Sequence, residues 1–453
     1  MNIVFYSSSS NIFSGEERII KTYPLRRDCF DSLALEYPEH RFSVVTQMPG
    51  SFLLDIKSND IEEKSELVSY TVTEKISATE FAGVILEKNP DIAIAMTFWT
   101  PPYDWMGLKD SMIADELRKH GVDAVCSPQE TQLICFDKKN TADFLNKNGF
   151  PCPPSVYVHH EYFWAERGNK SLLTNNYKDF ILSEVAAMDF PVVIKDCVGL
   201  SSYGMEVAVS YAQAVHYLKN GRNVSDRLVE KYIDGLHFGA EIYGRKGHYK
   251  VLPPMIFSLN RYGITSPKLS IKAGPVVSDK LDTSGLISML GKLADSLGID
   301  GSAQVDLVFS GGKWFVIEIN PRLSGMSETY AAAMGKTLLQ VMVETALGHA
   351  GELPEQDSAC NFKLPLLSDG QIERLTELTQ IKYLHQHNNK GAKQEREKGY
   401  CEAVVKAEDG NLLSALEKTR SEIPEIFEGQ VWENIKGLLD SEFFFYQAID
   451  KLN

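Results

Sequence analysis

The sequence predicts a mixed α/β protein: a parallel α/β unit first, then α+β units built on paired strands. Three observations carry this. In the first part of the chain, short apolar runs at 2–7, 41–47 and 91–96 are separated by longer polar–apolar stretches, the spacing of a parallel sheet with crossover connections. Farther on, apolar runs come in close pairs across short Gly/Ser loops, at 191–209 and 301–320, the pattern of adjacent paired strands. A chain of 453 residues also exceeds what one ordinary core organises and divides into about two to four domains.

Taken in order, MNIVFYSSSS reads as a first buried strand rather than a signal peptide. Leu108, Met112, Ile113 and Leu117 recur at helical spacing and stop at His120-Gly121. A helical stretch holding Asp137 and Lys138 leads into a proline-rich linker at 151–154. Strands are expected at 191–195, 205–209, 227–233 and 238–243, a helix at 283–297, then the hairpin 301–320 and one long helix after Ser327. From about residue 351 the character changes: 385–398 is expected to be polar and exposed, with a strand at 401–407 and a helix at 412–419. The expected domains are 1–125, 126–210, 211–350 and 351–453.

Net charge is −15, with acids spread along the chain, which excludes a general nucleic-acid or anionic-membrane binder. The seven cysteines are scattered without CxxC spacing, arguing for a reducing cytoplasm and against structural zinc or a disulfide framework. No run resembles a transmembrane segment.

The chemistry concentrates in the hairpin GSAQVDLVF…KWFVIEINPRLSG. Asp306, Glu318 and Asn320 can converge there as oxygen ligands, the donors that hard cations such as Mg2+ take. Arg322 adds an always-charged fork suited to a phosphate or carboxylate. In PVVIKDCVGLSSYGMEVAV a strand delivers Lys195 to a loop carrying Gly199, Ser201, Ser202 and Gly204, where amides and hydroxyls can meet a phosphate. An ordinary hairpin with a solvated lysine is the competing reading. In LVEKYIDGLH, Glu230 can accept from an exocyclic amine while the backbone at Lys231 to Ile233 reads a purine edge, or the segment is a plain strand and Asp-Gly turn. Of Lys138 and Lys139, one reaches across a cleft to a phosphate, or both are a solvated face. Several patterns fall away. Gly335-Lys336-Thr337 has Tyr330 where a P-loop needs glycine, and no GxGxxG or GxSxG is present. His159-His160 and the HQH at 385–387 read as surface, and Cys197 as a small buried filler.

In identity, order and spacing, the DK at Asp137-Lys138 with GFPCPP, the PVVIK with its GLSSYG loop, VEKYIDG and VDLVF…FVIEINPRLSG resemble the ATP-grasp superfamily and its carboxylate–amine ligases. The SSYG loop is most similar to D-alanine–D-alanine ligases, and EINPRLSG to the L-amino-acid ligase and biotin-carboxylase-like branches. The resemblance implies an ATP-grasp fold: an N-terminal pre-ATP-grasp domain, two α+β subdomains and a C-terminal extension. It implies that Lys138 and Lys195 bind ATP phosphates under the loop that holds Ser201, Ser202 and Gly204. Glu230 with Lys231 and Ile233 would hold adenine. Asp306, Glu318 and Asn320 would bind two Mg2+ ions, with Mn2+ as an admissible substitute and Glu318 bridging. Arg322 would face an acyl phosphate, and Arg322, Lys195 and Ser202 are the residues expected to act in catalysis. One departure is visible: His237 stands where many relatives have a ribose-binding acid, so either His237 makes that contact differently or Glu241 assumes part of it.

The function so implied is a cytoplasmic, ADP-forming ligase that activates a small carboxylate, an amino acid or similar, for attack by an amine. The competing expectations are a bicarbonate-activating enzyme of the biotin-carboxylase or carbamoyl-phosphate kind, and a non-catalytic nucleotide-binding protein. The partners are small molecules, not nucleic acid or membrane. Residues 351–453 are expected either to close the substrate site or to mediate a homodimer.

Overall fold

The structure is a computed structural model, described for residues 1–8, 16–21, 27–47, 67–74, 76–96, 106–169, 171–199, 205–221, 223–258, 270–388, 399–407, 411–425, 427 and 430–439. Its first layer is the expected parallel sheet, in the order Val68–Thr73, Arg41–Gln47, Asn2–Ser7, Ile92–Ala95, Asp123–Val125. Its interior positions are occupied by Ile3, Phe5, Val44 and Ile94, which are wholly buried, as a sheet covered on both faces requires. The helix Met106–Lys119 ends just before Gly121, whose φ of +80° suits glycine alone at no steric cost.

A four-stranded antiparallel sheet follows, in the order Ser155–Val158, Arg227–Lys231, Val192–Asp196, Glu206–Ala208. Helices Asn176–Ala186 and Tyr211–Leu218 bury Ile181, Val185, Ala214 and Leu218 against it. The strand Arg227–Lys231 reaches this sheet from beyond residue 210, so the sheet runs across the boundary expected there.

The third sheet organises the rest. Its order is Lys313–Asn320, Asp300–Ser310, Leu236–Arg245, Met255–Phe257, Lys272–Gly274, Ala359–Leu364, Gly399–Lys406, Ile381–Asn388, Glu16–Lys21, with His248–Val251 paired to Leu236–Arg245. The segment after residue 351 thus continues the sheet that carries the hairpin. Three expectations are corrected. The stretch from residue 385 is not simply exposed, since His385 sits in a strand between Glu402 and Ile19, with Tyr383 3.3 Å from its Nδ1. The single helix after Ser327 is two, Ser327–Ala333 and Leu338–Ala346, because Gly335 turns left-handed at φ +70° and Thr337 starts a new helix with a capping box to Gln340. The strand Glu16–Lys21 pairs with the far edge of the third sheet, where no run had been singled out.

Leu338–Ala346 is buried nearly all round, as an apolar helix must be. It lies in a core that joins Ile3, Phe5 and Ile94 of the first sheet to Tyr243 and Val404 of the third and to Tyr330 of the helix Ser327–Ala333. Among the described residues no helix is long and apolar enough to cross a membrane.

Candidate functional site

The site grows from the hairpin. Ser310 pairs with Lys313 across Gly311 and Gly312, whose φ values of +56° and +76° are those of a type I′ turn, which glycine accepts without strain. Register then places Asp306 opposite Glu318 and Gln304 opposite Asn320, all on one face. A bulge between Asp306 and Leu307 re-aims the pair just where it is needed. The neighbouring strand continues that face, with Gly239 opposite Asp306, Glu241 opposite Gln304 and His237 opposite Val308.

A chain of hydrogen bonds holds the ligand set. Arg322 Nη2 donates to Asn320 Oδ1 at 3.0 Å, Asn320 Nδ2 to Gln304 Oε1 at 2.8 Å, and Gln304 Nε2 to Asp306 Oδ1 at 2.6 Å. Gln304 was missed in the sequence, although its position two residues before Asp306 on a strand puts it on the same face. Burial raises the Asp306 carboxyl above its ordinary range, and the charge of Glu318 adds to this. Burial also pushes Glu318 up, but Lys138, Lys195 and Arg322 outweigh it and hold that carboxyl low. Lys138 and Lys195 therefore secure Glu318, whereas Lys272 and Arg322 offset the burial of Asp306 only in part.

Lys138 is the bridge. Asp137 caps the helix Lys138–Lys147 by accepting from the Lys139 and Asn140 amides, which fixes the helix start against the sheet. From there Lys138 Nζ lies 3.3 Å from Glu318 and donates to the Gly199 carbonyl at 3.0 Å, at the root of the glycine–serine loop. Lys139 turns outward to Asp143, so the two lysines are distinguished. Ser201, Ser202 and Gly204 lie outside the described residues.

Lys195 and Glu230 come from neighbouring strands and form an ion pair at 2.6 Å, with 4% and 7% of their surface exposed. Glu230 thus carries its own counter-charge, a pairing that spacing alone did not reveal. The Lys231 side chain turns away to Asp189, and the amides of Lys231 and Tyr232 donate to Pro154 and Pro191. The Ile233 amide is left as the free donor of this segment among the described residues. Among the described residues His237 Nε2 is buried without a hydrogen-bond partner, and burial lowers its basicity, which favours the neutral imidazole. Glu241 is not available to a ribose: it is 1% exposed and accepts from Tyr243, from Ser324 at 2.8 Å and from Ser327 at 2.7 Å, bracing the turn after Arg322. Arg322 is itself buried, with Nη1 donating to the Leu323 carbonyl at 2.9 Å. Burial, with Asp137 and Asp226 nearby, pushes the Cys197 thiol up to about 12, which rules it out as a nucleophile.

Farther along the same face stand Lys272, Asn361, Lys363 and Glu402. Lys363 pairs with Glu402, and Lys272 donates only to the Gly325 carbonyl, at 3.5 Å, among the described residues. Burial, and then Lys363, lower the Lys272 ammonium to about 8. Lys268, expected alongside it, lies outside the described residues. Lys363 and Glu402 were not foreseen. The faint signal was charge at alternate positions in otherwise apolar strands, ACNFKL and GYCEAVVK.

Comparison with known proteins agrees with this geometry. Residues 135–326, which hold the hairpin, Lys138, Lys195 and Glu230, match the family model described as an ATP-grasp domain. A carbamoyl-phosphate synthase of Methanobrevibacter smithii is 24% identical over 268 residues, 58% of this chain and 66% of that protein. The chain spans under a third of each carbamoyl phosphate synthase large chain it also matches. Among solved structures, the L-amino acid ligase of Bacillus licheniformis superposes with a TM-score of 0.62 at 15% identity, covering 94% of this chain and 97% of that one. The biotin carboxylase domain of Hydrogenobacter thermophilus 2-oxoglutarate carboxylase, in complex with MgADP, ADP and bicarbonate, gives a TM-score of 0.58 at 14% identity, covering 94% and 90%. Residues 135–326 thus match an ATP-grasp domain, and the chain shares the fold of the L-amino acid ligase and biotin carboxylase structures.

Proposed function

We propose that this protein is an ADP-forming ligase that activates a small carboxylate as an acyl phosphate and joins it to an amine. The observation that carries the reading is the position of Lys138, 3.3 Å from a carboxylate of the ligand set and 3.0 Å from the root of the phosphate loop. A free carboxylate is a poor electrophile, and transfer of a phosphoryl group supplies its leaving group. The protein's task is to align the reactants and neutralise charge.

The donor set fits a hard divalent cation: two adjacent carboxylates, one of them raised by burial and then by the other's charge, and a neutral amide oxygen. Asp306, Glu318 and Asn320 would hold Mg2+, two ions in this reading, and the metal supplies positive charge at the phosphate oxygens. Lys138 and Lys195 meet phosphate oxygens, and the loop with Ser201, Ser202 and Gly204 closes over them, which excludes water from the acyl phosphate. Glu230, with its charge balanced by Lys195, accepts from the adenine amine, and the Ile233 amide donates to the ring. The neutral His237 meets the ribose through Nε2. Arg322 faces the developing acyl phosphate, and Lys272 lines the acid pocket beyond it.

The test is ADP and phosphate release across a matrix of amino acids, other small acids and amines, with mass spectrometry of positive wells. Release should require an acid and an amine together and should vanish in Glu318→Ala and Lys195→Ala. Near-normal turnover by both variants would sink the assignment. The sequence relatives favour a second reading, activation of bicarbonate. Bicarbonate-dependent ADP release without any amine is the outcome that would select it.

A further inference from the structure

The face that carries Asp306 also carries a charged group that the ligase reading leaves idle. Register defines this face: Gly239 opposes both Asp306 and Met255, Phe257 opposes Lys272, Lys272 opposes Asn361, and Lys363 opposes Glu402. The start of the helix Ser327–Ala333 lies on it, since Ser327 donates to Glu241 at 2.7 Å and Thr329 accepts from Asn361 at 2.8 Å. Nearly every polar group here is matched. Asn361 Nδ2 donates to Glu402 Oε1 at 2.8 Å, Asn361 Oδ1 accepts from Lys363 at 2.9 Å, and three hydroxyls saturate Glu241.

Glu328 is the exception. It is 7% exposed, and its Oε2 is buried without a hydrogen-bond partner among the described residues. The charges acting on it are two further carboxylates, Glu402 and Glu241. A buried carboxyl that lacks a partner is costly, and water or a neighbouring base ordinarily relieves it. Of the nearby cations, Lys363 is committed to Glu402, and Lys272 feels Glu402, Asp306 and Glu241, while the charges acting on Glu328 include neither lysine. The region is therefore short of one cation at Glu328.

We infer that Glu328 receives the ammonium group of the substrate, with Glu402 and Glu241 adding negative potential behind it. The inference rests on the ligase reading for the identity of the site. It narrows the activated acid to one that itself bears a primary amine, since an acceptor held as its ammonium form could not act as the nucleophile. An ammonium donates to Oε2 the hydrogen bond it lacks, and a charge-assisted contact in so dry a place is strong. A neutral acyl chain would leave Oε2 unsatisfied, so desamino compounds should be rejected.

The experiment is calorimetric titration of the full chain, loaded with MgADP, using three probe sets: L-amino acids, their desamino counterparts such as propionate for alanine, and the matched amines such as ethylamine. Wild-type protein should bind at least one amino acid and no desamino acid. The amine alone should bind more weakly than the amino acid, and binding of the amine as tight as that of the amino acid would place the ammonium on the acceptor and overturn the inference. Glu328→Gln should weaken the bound probe at least about tenfold, as loss of a charge-assisted hydrogen bond predicts. Glu328→Asp should restore part of it. The glutamine variant should melt no lower than wild type without ligand, since it removes a buried carboxyl; if it does melt lower, the Glu328→Asp titration alone decides. Equal affinity of Glu328→Gln and wild type, equal binding of desamino acids, or no amino acid or amine bound by wild type would overturn the inference. If amino acids bind through Glu328 yet no mixture releases ADP, the recognition site stands and the ligase reading falls.

Discussion

Lys195 and Glu230 are each too buried to stand alone. Breaking such a pair leaves an uncompensated charge and costs about 3–5 kcal/mol, whereas replacing both with apolar residues is often near neutral. Lys195→Met should therefore lose about that much stability, and Lys195→Met with Glu230→Leu should recover most of it, while both lose nucleotide binding. Urea unfolding with ADP titration checks this, and a single variant as stable as wild type would refute it. Glu328 makes a second prediction, of pH dependence. Burial, then Glu402 and Glu241, raise its carboxyl well above the 4.5 of an unfolded glutamate, so the native state holds a proton that the unfolded chain has released. Stability from this group is full below that unfolded value and declines as pH rises toward the folded value. The stability advantage of Glu328→Gln over wild type should accordingly grow between pH 5 and pH 8 (roughly the range His and carboxyl buffers cover), and a constant difference would contradict the burial account.

At the scale of elements, the hairpin shows what pattern can reveal and where it stops. Its alternation and its Ser-Gly-Gly turn dictate which residues share a face, so Asp306, Glu318 and Asn320 were legible as a set. The bulge beside Asp306 and the relay through Gln304 were not, because both depend on which strand lies alongside. Gly235 depends on that neighbour too. A methyl group added there would come within 2.3 Å of the Phe309 carbonyl oxygen, at the end of the hairpin next to His237. Gly235→Ala should cost about 1–3 kcal/mol by overpacking and weaken nucleotide binding. Gly291, inside the helix Thr283–Leu297 with nothing within 4 Å of its missing Cβ, should behave oppositely: Gly291→Ala should gain about 0.5–1 kcal/mol. Thermal melts of the two variants moving in the same direction would defeat this argument.

Across the whole molecule, the parallel sheet and the site sheet share a core through Leu338–Ala346 and are tied by Arg245, which pairs with Asp123 at 2.8 Å and Asp300 at 2.9 Å. Arg245→Met leaves the half-buried Asp300 with Arg118, 3.5 Å away, as its remaining cation, and should cost up to about 3–5 kcal/mol, with unfolding still a single transition because the core is common. Two resolved transitions would show that the layers are separable. By itself the sequence determined the local matters: the parallel α/β start, the helix Thr283–Leu297, the hairpin and the order of the motifs that resemble those of ATP-grasp proteins. These follow from periodicity and turn chemistry, which act over a few residues. Only the tertiary structure decided that Glu16–Lys21 joins a sheet edge made by Ile381–Asn388, that Lys195 neutralises Glu230, and that Glu328 faces Glu402 and Glu241 with no hydrogen-bond partner for its Oε2 among the described residues. Those outcomes turn on contacts between segments far apart in the chain, and on which buried charges find partners once the layers close, a balance that no local pattern encodes.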